Sequence, residues 1–314
     1  MTVPIVIDTD PGIDDALALI LAARWGRVSL RAVSVTYGNT TLDIAARNAR
    51  LLLARVPAEP LVLPGWDRPL LRPLVTAKET HGECGLGDHS LPPPDPVYPS
   101  GSALRDALRA AREPVVLVTL GPLTNLALAL RLDAGLVRSR VIRHVAMGGN
   151  IAAAGNTGPH SEFNVWCDPE AAREVFAAGL GTELVGLDVT RRLVIPASAV
   201  AILATHPDEE ARWFGSLLGF YVRFHREAEG LHGAVINDPL ALALAVEPAW
   251  GRAEPVPVAV DLSDGPERGR TTVGDLGAGD ARVQVYRDFD LRRVHELLLD
   301  HLFGHWLTAA EFAS

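Results

Sequence analysis

Short apolar runs alternate with longer amphipathic stretches along most of the chain. A short apolar or β-branched run predicts a buried strand, whereas apolar positions three and four residues apart predict a helix. Alternating strands and helices are typical of an α/β protein with a mostly parallel central sheet flanked by helices. The predicted strands cover residues 5–7, 30–36, 61–63, 115–120, 141–147, 183–187, 256–260, 271–273 and 282–286.

Two segments interrupt this alternation. Residues 64–100 are rich in Pro, Gly and His, and they predict an irregular excursion with a mobile loop near residues 76–90. Loops of that length in a compact domain are often functional. Residues 198–235 predict a second, mainly helical excursion. Because no repeat or clear linker divides the chain, residues 1–314 predict a single domain.

Composition narrows the possible partners and the compartment. The 48% of hydrophobic residues can form a large core, and 29 Lys and Arg against 38 Asp and Glu give a net charge of −9. This charge argues against nucleic acid or an anionic membrane as a partner. No apolar run reaches the ~18 residues that a membrane span needs. The first residues lack a signal-peptide pattern, and Cys84 and Cys167 suggest no disulfide framework, so we expect a cytoplasmic location.

The densest group of ionisable side chains follows the first predicted strand. Asp8, Asp10, Asp14 and Asp15 lie within eight residues, around a Pro-Gly turn. Two carboxylates ~4 Å apart repel each other by about 4 kcal/mol at an effective dielectric constant near 20. A cation relieves this repulsion, and oxygen ligands suit Ca²⁺ or Mg²⁺. The structural alternative is that Asp14 caps the following helix while the other three carboxylates are solvated.

Several other candidate residues coincide with the carboxyl ends of predicted strands. In open α/β sheets, ligands bind beyond these ends. The positions are Asp8, Asp10, Asn39, Leu120, Met147 and Asp188. Individually they have ordinary explanations, such as a turn for Asn39 and core packing for Met147. Their common location predicts a binding site at one edge of the sheet.

The segment Asp8-Thr9-Asp10-Pro11-Gly12-Ile13-Asp14-Asp15-Ala16 resembles the signature of the nucleoside hydrolases, the inosine-uridine-preferring family of N-ribosidases. The similarity extends nearly from end to end, and it includes Gly121-Pro122-Leu123-Thr124-Asn125 and the stretch from Ser161 to Ala171. The resemblance implies the Rossmann-like fold of this family. It also implies one Ca²⁺ ion per chain and a ribonucleoside as the substrate.

The resemblance assigns the metal ligands residue by residue. Asp10, Asp15, Asp238 and the backbone carbonyl of Leu120 match the family's Ca²⁺ ligands. Asp10 would also be the catalytic base for a water bound to the metal, whose pKa the metal lowers. Asp8 would contact these ligands rather than the metal itself.

The resemblance also assigns the substrate contacts. Asp14, Asn156, Glu162 and Asn164 would bind the ribose hydroxyl groups. A mobile loop would bring His81 to the base. Further matching pocket positions are Asn39, Met147 and Phe163.

One position departs from the family pattern. Many members carry, immediately before the late metal-binding Asp, a His that is thought to protonate the leaving base, whereas this chain has Asn237. An Asn side chain does not supply a proton near neutral pH. Counting back from Asp238, the positions that hold aromatic residues over the base become Tyr221 and His225, so His225 is a candidate catalytic acid. The alternative is that His225 is an ordinary polar residue on a helix face.

The expected reaction is Ca²⁺-dependent hydrolysis of the N-glycosidic bond of ribonucleosides to ribose and a free purine or pyrimidine base. One alternative is a Mg²⁺-dependent phosphatase of the haloacid-dehalogenase class, in which Asp8 of Asp8-Thr9-Asp10 would be the nucleophile. Another is a nucleoside- or ribose-binding protein that has lost turnover. This alternative arises because Asn237 replaces the histidine that is thought to protonate the base. The resemblance further suggests a homodimer or homotetramer.

Overall fold

The computed structural model describes residues 2–274 and 282–312. Within them, eleven strands belong to two sheets. In chain order the strands are β1 (Val3–Thr9), β2 (Val28–Val35), β3 (Leu61–Pro64), β4 (Val115–Thr119), β5 (Val141–Met147), β6 (Glu183–Val185), β7 (Val194–Pro196), β8 (Gly233–Val235), β9 (Gly251–Val260), β10 (Thr271–Val273) and β11 (Arg282–Phe289).

Helices of very different lengths connect and cover these strands. A 3₁₀ turn at Pro248–Trp250 precedes β9. A π-helical turn at Leu299–Phe303 continues the helix that ends at Leu298. The helices are α1 (Ile13–Arg24), α2 (Leu42–Leu53), α3 (Lys78–His81), α4 (Ala103–Ala110), α5 (Thr124–Arg140), α6 (Phe163–Cys167), α7 (Pro169–Ala177), α8 (Leu187–Thr190), α9 (Ala197–Thr205), α10 (Glu209–Glu229), α11 (Asp238–Val246), α12 (Leu291–Leu298) and α13 (Ala309–Phe312). Among the helices of residues 2–274 and 282–312, none is both long and apolar enough to cross a membrane.

The side on which the chain adds strands to the main sheet changes at β1. Its strand order is β10-β9-β11-β6-β5-β4-β1-β2-β3, and the strands from β11 to β3 are parallel. The chain builds β2 and β3 on one side of β1 and then adds β4 on the other side. Such a switch point leaves a crevice at the carboxyl ends of the two central strands, where ligands bind in this class of fold. The strands β9 and β10 add an antiparallel edge.

Both faces of the sheet are covered, which explains why the central strands are continuously apolar. Side chains alternate along β1, so Ile5 and Ile7 pack with α1, α2 and α11 on one face, while Val6 packs with α4 and α5 on the other. The core-facing helices α1 and α11 are buried along nearly their whole length. The functional residues at their first turns are therefore held by a rigid support.

The expected α/β class with a mostly parallel sheet is confirmed. The predicted strand at 183–187 ends earlier, at Val185, because the chain turns at Gly186 into the short helix α8. The strands β7 and β8 were not predicted; they form a small antiparallel sheet of their own. The helical excursion consists of two helices, α9 and α10. The predictions of a single domain and of a mobile loop near residues 76–90 stay predictions.

The irregular segment 64–100 is fastened to the sheet by Asn125, at the start of α5. The Asn125 amide donates to Asp8 Oδ1 at 2.8 Å, to Ser34 Oγ and to the carbonyl of Val35, and its oxygen accepts from the Trp66 N–H at 2.9 Å. One buried side chain thus joins β1, β2 and the start of the excursion. Buried polar groups that lose their partner are costly, so this residue is a structural constraint.

We predict that Asn125→Leu lowers the free energy of unfolding by about 2–4 kcal/mol, because the Asp8 carboxylate and the Trp66 N–H lose their buried partner. Urea unfolding followed by circular dichroism measures the change. The matched control is Leu132→Ala on the same helix, whose side chain is exposed, with an expected change within about 0.5 kcal/mol. Equal stability of the two variants would contradict the role assigned to Asn125.

Candidate active site

A pocket opens at the switch point of the sheet. Nearly all of the predicted substrate and metal residues line it. From the predictions, the lining includes Asp14, Asn39, His81, Leu120, Met147, Asn156, Glu162, Phe163, Asn164, Tyr221, His225, Asn237 and Asp238. Asp10 and Asp15 do not line it, but both are fully buried and hydrogen-bond to Asn39, which does.

Acidic side chains cluster at the base of the pocket. One carboxylate oxygen from each of Asp14, Asp15 and Asp238 lies within 4.8 Å of the others, and all three residues are buried. Asp10 stands beside them, at the end of β1. The carboxyl groups of Asp15 and Asp238 are therefore near neighbours, and a cation between them would relieve their repulsion.

The local sequence explains how the cluster is built. The Pro-Gly turn after β1 starts α1 at Ile13, so Asp14 and Asp15 fall in the first helical turn. Asp238 also lies in a first helical turn, as the first residue of α11, and Pro239 follows it. The positive ends of both helix dipoles therefore face the carboxylates and stabilise them partly. The Gly12 N–H donates to Asp15 Oδ2 at 3.0 Å, and the Thr9 hydroxyl donates to Asp15 Oδ1.

Burial raises the pKa of four carboxyl groups in and beside the cluster, those of Asp8, Asp10, Asp15 and Asp238. Burial, followed by the charge of Asp15, raises the pKa of Asp10 well above its ordinary range. Burial and the charge of Asp14 raise the pKa of Asp15 to about 6, and the same two causes raise the pKa of Asp238 well above its ordinary range. Burial alone raises the pKa of Asp8 to about 7, against the hydrogen bonds from Asn125 and Ser34. A cation in the cluster would favour the ionised forms.

The donor set fits a hard divalent cation. Asp10 Oδ2 accepts from the Asn39 N–H at 2.6 Å, while its Oδ1 is buried without a hydrogen-bond partner. Gly121 permits this placement, since a Cβ at that position would lie 2.5 Å from Oδ1. Carboxylate and carbonyl oxygens are the ligands that Ca²⁺ and Mg²⁺ prefer. The unpartnered oxygen and the excess of buried acid together indicate that these residues are able to hold a metal ion.

A second polar group forms the wall around Glu162, which caps α6. The Glu162 carboxylate accepts from the N–H groups of Gly149, Asn164 and Val165, at 2.9, 2.9 and 3.2 Å. Burial nevertheless raises its pKa to about 7. The Asn164 amide donates to the Leu120 carbonyl at 2.7 Å. These contacts fix the Glu162 carboxylate, a hydrogen-bond acceptor, and the Asn164 amide at the same wall, beside the end of β4.

The facing wall carries His81, Tyr221 and His225. The ring centroids of His81 and Tyr221 are 5.4 Å apart, and those of Tyr221 and His225 are 4.4 Å apart. His81 Nδ1 accepts from the Ile13 N–H at 3.1 Å, so Nε2 carries the proton of the neutral ring. His225 Nδ1 lies 2.9 Å from the Tyr221 carbonyl and donates to it, so Nε2 of the neutral ring is an acceptor.

The titration of the two histidines is controlled by burial. It lowers the pKa of His81 from 6.5 to about 4, so this ring is neutral near pH 7. Burial also lowers the pKa of His225 below 6.5, although the charges of Glu229 and Asp14 act in the opposite direction. Asn237 precedes Asp238 at the start of α11 and donates to Asp14 Oδ2 from its side chain at 2.9 Å.

The remaining candidates lie outside the pocket. Asp8 lies beneath it, bound to Asn125. Asp188, at the predicted strand end, instead accepts from the backbone N–H groups of residues 151–153, because α8 turns its carboxylate toward that loop. Sequence analysis did not single out several further lining residues: Thr80 next to His81, Thr157 next to Asn156, Arg191 directly after α8, and Phe224 and Glu229 within α10.

Comparison with known proteins explains this arrangement. The family model described as inosine-uridine preferring nucleoside hydrolase matches residues 5–296. The chain belongs to this family. Nucleoside hydrolases cleave N-glycosidic bonds, so the chain is an enzyme of the N-glycosidase class. The resemblance in the sequence is thereby confirmed, and the haloacid-dehalogenase alternative is wrong.

Individual relatives cover most of the chain. The pyrimidine-specific ribonucleoside hydrolase RihA of Enterobacter sp. (strain 638) is 39% identical over 79% of this chain and 80% of its own length. The pyrimidine-specific ribonucleoside hydrolase RihB of Shigella sonnei (strain Ss046) is 31% identical over 87% of this chain and 88% of its own length. Among solved structures, a purine-preferring ribonucleoside hydrolase from Gardnerella vaginalis superimposes with a TM-score of 0.85 at 27% identity, covering 96% of this chain and 98% of that one.

We predict that Ca²⁺ raises the melting temperature of the metal-free protein more at pH 8 than at pH 5. The raised pKa values mean that the folded acids keep their protons while the unfolded ones lose them, so stability falls as pH rises from about 4 through the folded pKa of Asp15, about 6. Protons compete with the cation, so its stabilisation of several degrees should develop over the same range. Thermal unfolding with and without Ca²⁺ measures this effect. Asp238→Asn should reduce it, and an increase of the same size at both pH values would contradict a metal site in the cluster.

Proposed function

We propose that this enzyme hydrolyses the N-glycosidic bond of ribonucleosides in a Ca²⁺-dependent reaction that yields ribose and a free base. The observation that carries the proposal is the arrangement of the pocket. An acidic cluster with an unpartnered oxygen lies at its base, and polar groups suited to sugar hydroxyls line the wall beside it. The bond to be cleaved would lie between this end and the histidine wall.

Four oxygen donors would hold the metal. They are the carboxylates of Asp10, Asp15 and Asp238 and the backbone carbonyl of Leu120. A bound Ca²⁺ supplies positive charge that lowers the pKa of a neighbouring water molecule. Asp10 accepts the proton of the attacking water as the catalytic base, because its Oδ1 has no other partner and burial raises its pKa.

The ribose is bound by Asp14, Asn156, Glu162 and Asn164. Glu162 and Asn164 are already held by backbone hydrogen bonds, so little side-chain entropy is lost when the sugar binds. Asn39, Met147 and Phe163 complete the sugar end of the pocket. Rigid contacts of this kind hold the sugar as it develops the oxocarbenium character of glycoside hydrolysis.

The leaving base meets the histidine wall. His81, held neutral, offers its Nε2–H to an acceptor on the base, and Tyr221 supplies an aromatic surface. His225 is the acid of the reaction in its protonated form, since the neutral ring carries its only proton on Nδ1, which donates to the Tyr221 carbonyl. Asn237 orients Asp14 rather than donating a proton. Activity should therefore fall as the pH rises through the pKa of His225.

We propose pyrimidine ribonucleosides as the preferred substrates. The curated relatives at 39% and 31% identity are pyrimidine-specific, whereas the purine-preferring structural relative shares 27%. By resemblance and composition we also propose a homodimer or homotetramer that works in the cytoplasm. Size-exclusion chromatography with light scattering tests the oligomeric state.

The deciding assay is release of free base and reducing sugar from uridine, cytidine, inosine and adenosine. We expect turnover that stops after chelation and returns with Ca²⁺, with the pyrimidine ribonucleosides cleaved fastest. Adding Mg²⁺ instead of Ca²⁺ after chelation compares the two cations in the same assay. Nucleoside binding without any base release would instead favour a binding protein that has lost turnover, and activity that persists after complete metal removal would contradict the metal's role.

We predict that Asp10→Asn lowers kcat by about 100- to 10,000-fold, the usual contribution of a catalytic base. The substitution keeps the size of the side chain while it removes the charge and the proton acceptor. The matched control, Asp95→Asn in the exposed part of the excursion, should keep full activity. A folded Asp10→Asn protein with normal kcat would refute the assignment.

A further inference from the structure

Arg191 connects two walls of the pocket that are far apart in the sequence. It directly follows α8, and its Nη2 donates to the carbonyl of Gly155 at 3.0 Å. The same Nη2 lies 3.7 Å from Oε1 of Glu229, the last residue of α10. Both side chains line the pocket, where they are 28% and 23% exposed. They therefore stand at its mouth, partly shielded from solvent.

The loop that Arg191 contacts carries part of the ribose wall. Asn156 follows Gly155 directly and lines the pocket. Gly155 has no room for a side chain, since a Cβ would lie 2.5 Å from the backbone of Ser161. Asp188, three residues before Arg191, holds the beginning of the same loop through its N–H groups. The region of α8 thus fixes this loop at both its beginning and its middle.

Glu229 lies one helical turn after His225, on the same face of α10. Four ionisable groups from different elements surround the His225 ring electrostatically: Asp14 from α1, His81 from α3, Glu229 from α10 and Arg191 after α8. Glu229 and Asp14 favour the protonated ring, whereas Arg191 disfavours it. The two members of the ion pair therefore act on His225 in opposite directions.

We propose that Arg191 and Glu229 are positioning residues that form a charged clasp, which fastens the ribose-side loop to the helix carrying His225 and balances the charge around that histidine. The proposal rests on the proposed function, because it assigns the clasp to the same site. Neither residue touches the reacting atoms. Each acts through other groups: Arg191 through Gly155 and Asn156, and Glu229 through His225.

The test uses Arg191→Met and Glu229→Gln, which remove opposite charges with little change in length. Because each opens the clasp, both should raise KM for the preferred ribonucleoside about three- to tenfold. The alkaline limb of the pH profile of kcat/KM reports the pKa of His225 in the free enzyme. This limb should move by about half a pH unit, in opposite directions in the two variants. It should move to higher pH in Arg191→Met and to lower pH in Glu229→Gln.

Further variants separate charge from packing. The double variant should return the limb close to its original position while KM stays high. Arg191→Lys should keep the limb in place, because the charge is retained. The matched controls are Arg192→Met, the neighbouring residue paired with Asp288, and Glu227→Gln, exposed on the same helix. We expect the controls to leave both KM and the limb unchanged.

Shifts of the two limbs in the same direction, or an unchanged KM in both variants, would overturn the clasp. If no ribonucleoside is cleaved, the proposed function fails, and the histidine ring signals in NMR spectra then decide the clasp separately. The His225 signal, identified with His225→Gln, should still titrate at higher pH in Arg191→Met and at lower pH in Glu229→Gln. Identical titration in both variants would overturn the proposal independently of activity.

Discussion

The mutual repulsion of buried carboxylates is the constraint on which the rest of the structure depends. Asp10, Asp14, Asp15 and Asp238 converge at one point of the molecule, although burial raises the pKa of Asp10, Asp15 and Asp238. Folding tolerates this arrangement because two helix N-termini, several N–H donors and, in our proposal, a cation compensate the charge. Burial of the apolar side chains of α1 and α11 in the core provides the free energy that keeps these groups together.

The same switch point explains why the site is asymmetric. On one side of β1, the ends of β4 and β5 present Leu120, Met147 and the Glu162 wall, all fixed by backbone hydrogen bonds. The facing wall consists of His81 on the irregular excursion and Tyr221 and His225 on α10. The groups that we propose to bind the sugar are thus fixed at the strand ends, whereas those that we propose to contact the base lie on inserted segments.

The exchange of histidine for Asn237 has a structural consequence as well as a chemical one. The Asn237 side chain and its own N–H both donate to Asp14, so this position holds the residue that we propose to bind the ribose. In our proposal the proton then comes from α10, where the hydrogen bond to the Tyr221 carbonyl decides which nitrogen of His225 is free. The missing histidine at position 237 is in this way linked to the orientation of His225, twelve positions earlier in the chain.

The sequence by itself determined the α/β class, the position of most strands and the acidic loop, because these depend on local periodicity and on a contiguous motif. Its resemblance to the nucleoside hydrolases also led to Glu162, Asn164 and Asp238, which the fold then brings to one pocket. Only the tertiary structure decided that Asp188 turns away from the pocket and that Arg191 and Glu229 meet at its mouth. It also decided the histidine tautomers. These features depend on contacts between segments far apart in the chain, which leave no periodic or spaced pattern in the sequence.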